Sequence, residues 1–480
     1  MFPVWKRSRR DFRFSFGKKY GGMSSTSIAV PRTGGYSAAM SEPTCFRVIR
    51  DPLWNSIRLD PVAVGIIDTA EFQRLRYIRQ LGFAHLVYPG ATHTRFDHAV
   101  GVYHLARTAL RFVKERSRVS DEAWQGEELI PYAALLHDIG HFAFSHALEE
   151  LEPDQIPGDH EAVSARFFES PDLLAALGSL GSEAPARIHE LIRGESGIPL
   201  RGLVSGSLDL DKMEYLRRDA RFCGVPYGEV DVDRLIQGLV LLPDPDSGLY
   251  EVGVNEKAVA SLESLLFAKY QMFRNVYWHH GVRAATALYK RIVEEAVAGG
   301  LVTPTELVGP TDEELLYEIG RRAEHVDDER SHRLRFRWLP ALRERKIPKR
   351  ALELTAADLA EIPLPSWLGE DPERRRRLED CLAEELGLDA GEVVVDYPTK
   401  EAMFQLNLLL ERRNGQVVRV GSEGLPGVID LPRVAEELYR TARVLRVFTF
   451  FRRSLSRSTF LESLRRDGES DREPSHAEGV

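Results

Sequence analysis

The sequence predicts a mainly α-helical protein with a small α+β region toward the C-terminus, and three observations lead there. Between Phe46 and about Gly300 the apolar residues recur with a helical period: FQRLRYIRQLGF sets Phe72, Leu75, Ile78 and Leu81 on one face, and AVGVYHLARTALRFV continues the pattern. Beyond Pro304 the period changes. FQLNLLLERRNGQVVRV places Asn414-Gly415, a favoured two-residue hairpin turn, between β-like runs, and GEVVVDY adds another strand. The composition, 43% hydrophobic and 29% charged, is that of a globular chain, and no segment approaches the run of about 18 apolar residues that a membrane helix needs.

Taken in order, residues 1–45 carry Gly, Ser, Thr and Pro without periodicity and read as a disordered basic tail. Residues 46–300 form the helical core, interrupted at GLVLLPDPDSGLYEVGV, where two apolar runs flank a turn and predict a hairpin. The boundary falls at Gly299-Gly300 and Pro304, after which Thr311 and Glu314 form a capping box for a new helix. Residues 301–465 make the α+β region, read as regulatory or oligomerising, and 466–480 a polar tail.

Cys45, Cys223 and Cys381 are too few and too scattered for a disulfide framework or a cysteine zinc cluster, which fits a reducing cytoplasm. The net charge of -9 gives no overall attraction to nucleic acid or anionic lipid. Anion binding must then come from local clusters, such as the first twenty residues and SHRLRFRWLPALRERKIPKR from Ser331 to Arg350. Each is open to two readings, a solvated arm or amphipathic surface element, and a nucleic-acid or polyphosphate patch.

The chemistry concentrates in LLHDIGHFAFSHALEE, Leu135 to Glu150. Neighbouring side chains on a helix diverge by about 100°, close to the right angle between adjacent octahedral positions, so His137 and Asp138 can supply adjacent ligands to one ion. The alternative is a structural His beside an Asp cap. Against it stand Gly140, which costs about 1 kcal/mol inside a helix, and His141, four residues from His137 on the same face. A zinc-protease reading of HDIGH, with Asp in place of the HExxH glutamate, would demand a longer reach from the shorter acid. His98 in TRFDHAVGVYHLA and Asp211 in SLDLDKMEYLRRDARFCGVP complete a set of two imidazoles and two carboxylates, which suits Mn, Fe or a similar divalent ion better than a closed structural zinc site.

The ordered series FQRLRYIRQLG, YPGATHTRFDHAVGV, LLHDIGHFAFSHALEE, DHEAVS, LDLDKMEYLRRDA and QMFRNVYWHHGV resembles the HD-domain deoxynucleoside triphosphate triphosphohydrolases, bacterial enzymes and the vertebrate enzyme that adds a sterile alpha motif. The likeness runs from about Phe46 to Ala296, with a weaker echo in LPGVIDLPRVAEELYRTARVLRVF. It implies an HD-domain helical core, with His98, His137, Asp138 and Asp211 holding the metal. It also implies Mg with the nucleotide phosphates, and hydrolysis of a dNTP to deoxynucleoside and triphosphate for nucleotide-pool control or antiphage defence. His146, with Glu149 behind it, would donate the proton to the leaving oxygen, and His141 and His160 would meet phosphate or water. Arg95, Lys212 and Lys269 match phosphate-binding positions, Lys269 standing where relatives carry Arg. Gln80, Tyr215, Asp219 and Tyr277 match positions around the deoxyribose. Asp68, Gln73 and Arg76 match a regulatory site for GTP or dNTP between subunits of a dimer or tetramer, although Arg50 and DPLWNSIRL depart from the pattern there. Two other classes remain: an HD phosphodiesterase or nuclease acting on cyclic nucleotides or single strands, and a nucleotide sensor without turnover.

Overall fold

The computed structural model describes residues 46–151, 154–359, 364–398, 406–421, 433 and 443–470. The chain opens with an antiparallel hairpin, β1 (Arg47–Asp51) and β2 (Asn55–Leu59), in which Ile49 pairs with Ile57. Two short helices follow, α1 (Pro61–Ile67) and α2 (Ala70–Gln73). The single helix expected over FQRLRYIRQLGF is not formed. α2 stops at Gln73, a 3-10 turn covers Arg74–Tyr77, and extended backbone brings Arg79 to pair with Thr94. Phe72, Leu75 and Ile78 are nonetheless buried, because a spacing of three serves a 3-10 turn as well as an α-helix.

The central element is α3 (Arg95–Arg116), started by a capping box in which the Asp97 carboxylate accepts from the Thr94 N–H and hydroxyl, both at 2.9 Å. Its buried residues include Phe96, His98, Val100, Val102 and Tyr103, so it is covered on more than one side. α4 (Ile130–Leu136) and, later, α9 (Leu210–Cys223) pack against it. The helical reading of LLHDIGHFAFSHALEE needs correction. α4 ends at Leu136 with His137 as its C-cap, a turn carries Asp138 to Gly140, and α5 (Ser145–Leu148) restarts only after Phe144, whose φ is +49°. The cause lies in packing: a Cβ on Gly140 would stand 2.0 Å from the His160 carbonyl oxygen and 2.7 Å from the Ser164 nitrogen. Gly140 therefore admits α6 (His160–Ser164) against the turn.

The core continues through α7 (Pro171–Leu177), α8 (Ala184–Ile192), α9 and α10 (Val232–Gln237). The expected hairpin is present as antiparallel β3 (Leu239–Pro243) and β4 (Tyr250–Asn255). α11 (Val259–Met272) and α12 (His280–Ala298) lead to α13 (Asp312–Ala323), which opens with the predicted Thr311–Glu314 box.

Packing runs across the boundary placed near Gly300. Phe83, Phe142 and Phe144 share a hydrophobic cluster with Leu288 and Ile292 of α12 and with Leu315, Ile319 and Trp338 beyond it. Asp312 accepts from the Arg79 N–H at 2.9 Å and the Phe144 N–H at 3.2 Å, tying the start of α13 to the turn before α5. In the basic run, Trp338 is buried while Phe336 is exposed beneath the Arg335 guanidinium, an amphipathic element.

Three antiparallel strands follow, β5 (Lys349–Leu354), β6 (Val393–Asp396) and, completing them from the C-terminal end, β9 (Leu445–Thr449), in the order β5-β9-β6. β7 (Leu408–Glu411) and β8 (Val417–Val420) form the predicted Asn414-Gly415 hairpin, and β7 joins β4 in parallel. The closing helix spans Arg457–Ser470, so 466–470, assigned to a tail, are helical. The tail at 1–45, residues 471–480 and most of LPGVIDLPRVAEELYRTARVLRVF lie outside the described residues. Among the described residues no helix is long and apolar enough to cross a membrane.

Candidate metal and phosphate site

Three elements bring four side chains to one point. α3 supplies His98 in its second turn, the C-terminal end of α4 supplies His137 and Asp138, and the first turn of α9 supplies Asp211. The two Nε2 atoms are 3.2 Å apart; Asp211 Oδ1 lies 2.9 Å from His98 Nε2 and 3.5 Å from His137 Nε2, and Asp138 Oδ1 lies 3.3 Å from His137 Nε2. Neighbouring donors around an octahedral ion with bonds near 2.1 Å stand about 3 Å apart, so the spacings of His98, His137 and Asp138 fit one divalent cation, with Asp211 Oδ1 within reach of both imidazoles.

The hydrogen bonds behind the ligands agree. His98 Nδ1 is held by Glu214 at 2.7 Å and His137 Nδ1 by the Ala134 carbonyl at 2.8 Å. Each bond commits the Nδ1 hydrogen and leaves Nε2 with a lone pair for a metal. Burial disfavours a charged His98, yet hydrogen bonds to Asp211 and Glu214 outweigh it and lift the imidazole to about 10. Asp138 is held well below the usual carboxylate range: burial opposes this, but Arg95 and His137 prevail. The surplus of negative charge that would draw a proton to the imidazoles equally draws a metal cation.

A second cluster adjoins the first through Asp138. Its Oδ1 lies 3.0 Å from His141 Nε2, while Oδ2 accepts from Arg95 at 2.8 Å. His141 and His160 stack at 3.8 Å between centroids, and Glu149 meets His146 Nδ1 at 3.0 Å and His160 Nδ1 at 2.9 Å. Burial first, then Arg95 and His160, push His141 well below its ordinary pKa and keep it neutral. Arg95 is buried, and its Nε has no hydrogen-bond partner among the described residues.

Asp211, Tyr215 and Asp219 repeat every four residues and share one face of α9. Lys212, the residue after Asp211, sets its ammonium on the Gly206 carbonyl at 3.0 Å and on Asp209. Burial works against that ammonium, but Asp209 and Asp211 outweigh it and raise its pKa. Asp219 accepts from Tyr277 at 2.6 Å, and the Gln80 side-chain oxygen is buried without a partner among the described residues. Lys269 is buried on α11, its ammonium 5.9 Å from the Phe273 ring centroid.

Asp68, Gln73 and Arg76 gather on a different surface. Asp68 pairs with Arg47 at 2.8 Å, Arg76 donates to Gln73 at 2.8 Å and lies over the Phe96 ring, and Gln73 donates to the Ile67 carbonyl.

Reasoning from sequence missed two buried residues behind the site, His93 on Asp219 at 2.8 Å and Glu214 on His98. Glu214 had a signal: a metal-ligating His usually passes its second N–H to a carboxylate, and Glu214 sits three residues beyond Asp211. Its approach to α3 depends on Gly101, where a Cβ would stand 2.1 Å from Glu214 Oε1.

Residues 95–197 match the HD domain and residues 230–423 the HD associated region. An uncharacterized protein of Methanocaldococcus jannaschii is 36% identical over 52% of this chain and 49% of its own length. The deoxynucleoside triphosphate triphosphohydrolase SAMHD1 of Gallus gallus is 31% identical over 48% of this chain and 42% of its own. The chain thus spans about half the length of the curated relatives it matches. Among solved structures, a hypothetical protein of Aquifex aeolicus superposes with a TM-score of 0.61 at 24% identity, covering 88% of this chain and 99% of that one. A phosphohydrolase of Bacteroides thetaiotaomicron gives 0.62 at 21%, over 85% and 100%. These likenesses show a shared fold. The chain belongs to the HD-domain family, joining an HD domain to an HD associated region and related in sequence to deoxynucleoside triphosphate triphosphohydrolases.

Proposed function

We propose that this protein is a metal-dependent phosphohydrolase that converts dNTPs to deoxynucleoside and triphosphate. The observation that carries the reading is the double engagement of Asp138, one oxygen beside the ligand His137 and the other on Arg95, which sets a phosphate-binding cation directly against the metal position. The activity in the name of the SAMHD1 relatives supports the choice of substrate.

Bound at His98, His137, Asp138 and Asp211, a divalent ion supplies Lewis-acid polarisation of a phosphate oxygen and a more acidic water. The chain's own groups do the rest. Arg95 and Lys212 offset the charge of the triphosphate, and neutral His141, with Nε2–H on Asp138 and Nδ1 on the Ser145 hydroxyl, braces the Asp138 carboxylate beside the phosphates without adding charge. His146, held through Nδ1 by Glu149, keeps Nε2 for the leaving oxygen and serves as the proton donor. Tyr215, Tyr277, Asp219 and Gln80 line the sugar, where a ring leaves no space for a 2′-hydroxyl. Mg accompanies the nucleotide phosphates. Asp68, Gln73 and Arg76, with Arg47 beside them, form the surface for an activating GTP or dNTP in a dimer or tetramer.

The test is incubation of the purified protein with each dNTP, alone and with a second nucleotide, in Mn or Mg, followed by chromatography. Deoxynucleoside and triphosphate are expected, and Asp138→Ala abolishes them. Release of monophosphate and pyrophosphate would reject cleavage between the α-phosphorus and the 5′-oxygen.

A further inference from the structure

We infer that His93 is a positioning residue for substrate selection: it fixes the Asp219 carboxylate at the sugar end of the pocket. The inference rests on the nucleotide reading above and adds a residue to it.

His93 precedes the capping box of α3 and is 2% exposed, and Asp219 is 1% exposed. His93 Nε2 lies 2.8 Å from Asp219 Oδ1, and the Tyr277 hydroxyl donates to Oδ2 at 2.6 Å. Both oxygens are thus held, from two elements far apart in sequence, and each retains a lone pair for a further donor. Since the carboxylate only accepts, the hydrogen at this contact sits on His93 Nε2. The ring itself is fixed by Phe222, 4.6 Å away between centroids. The His93 carbonyl accepts from the Gln80 N–H at 3.1 Å, so one residue braces Asp219 by its side chain and Gln80 by its backbone.

Two buried acceptors in this wall lack partners among the described residues: the Gln80 side-chain oxygen and His93 Nδ1. Buried acceptors without partners are rare in folded proteins and mark places where a ligand or water donates. A wall of fixed acceptors binds a ligand that brings a hydroxyl hydrogen, as the 3′-hydroxyl of a deoxynucleotide does. His93 is held on Asp219 and acts through it, so its loss weakens binding more than turnover.

The experiment uses the full chain loaded with Mn. His93→Phe keeps a ring and removes the N–H; His93→Gln places an amide N–H at the reach of Nε2; His93→Asn places one too short to reach Asp219. For each, kcat and KM are measured with the preferred dNTP, Kd for the deoxynucleoside product is measured by calorimetry, and the melting temperature is recorded. His93→Phe and His93→Asn are expected to raise KM and Kd about tenfold or more, with kcat within about threefold, and His93→Gln to restore both. If His93→Phe does not fold, the Gln and Asn pair gives the same comparison. Wild-type KM and Kd in the Phe or Asn variant overturn the inference while leaving the dNTP reading intact. A wild-type protein that neither binds deoxynucleoside nor hydrolyses dNTP overturns both.

Discussion

His98 Nδ1 donates to Glu214 at 2.7 Å, and the same carboxylate accepts from Trp54 at 2.8 Å and from Arg218 at 2.8 Å. Burial would raise the Glu214 pKa, but Arg218 and His98 hold it down to about 2. The residue therefore carries a full negative charge behind a metal-facing imidazole, which makes the Nε2 lone pair more basic. Glu214→Gln preserves the shape and an acceptor but removes the charge. Mn affinity should fall about 10- to 100-fold, read by metal titration at constant pH. An unchanged affinity would show that the Glu214 charge does not act on the ion through His98.

Arg283 of α12 joins two carboxylates that lie far away in sequence. It meets Glu150 through two bonds, at 2.8 and 2.9 Å, and Asp396 at the end of β6 at 2.9 Å, while Lys290 adds a bond to Glu150 at 2.8 Å. Arg283 is 4% exposed and Asp396 1%. Arg283→Met would leave two acids beside a single Lys290 in a dry site. A loss of about 3–5 kcal/mol in unfolding free energy is expected, measured by urea denaturation. Because Glu150 adjoins Glu149, the same variant should lose activity at temperatures where it stays folded.

The parts legible in the sequence are those encoded locally. Thr311 with Glu314, the Asn414-Gly415 turn and the β3–β4 hairpin each follow from a few adjacent residues. The four side chains His98, His137, Asp138 and Asp211 could be singled out because each lies at or near a helix end in a run of unusual residue types. The bracing residues could not be read in this way. Glu214 lies 116 positions from His98 and Asp219 126 from His93, and no local period encodes such a pairing. The helix expected through His137 and His141 failed for a similar reason. Helical periodicity cannot register that α6 rests on Gly140, and that tertiary contact decides where α4 stops.

Gly140→Ala tests that cause directly. The atoms its Cβ would meet, the His160 oxygen at 2.0 Å and the Ser164 nitrogen and Cα at 2.7 and 2.9 Å, are backbone and cannot rotate aside. α6 must shift, and His160 with it, away from His141 and Glu149. A destabilisation of about 1–3 kcal/mol is expected in thermal or urea unfolding, despite the better helix propensity of Ala. A variant as stable as the wild type would place the helix stop in local sequence instead.

His279 caps α12, its Nδ1 accepting the Gly281 N–H at 3.2 Å, a role that only the neutral ring can fill. Burial first, then His280, Arg446 and Arg350, lower its pKa to about 4. With the folded value below the ordinary 6.5, the unfolded chain binds the proton more readily between those limits. The cap's contribution is therefore complete above pH 6.5 and is lost as pH falls toward 4. Solvent screening at this half-buried ring reduces the effect to roughly 1–2 kcal/mol. His279→Asn retains a capping acceptor that does not titrate. Urea midpoints at pH 7.5 and pH 5.0 should show the wild type losing stability relative to His279→Asn as the solution is acidified, and a difference independent of pH would show that the ring does not titrate as the cap requires.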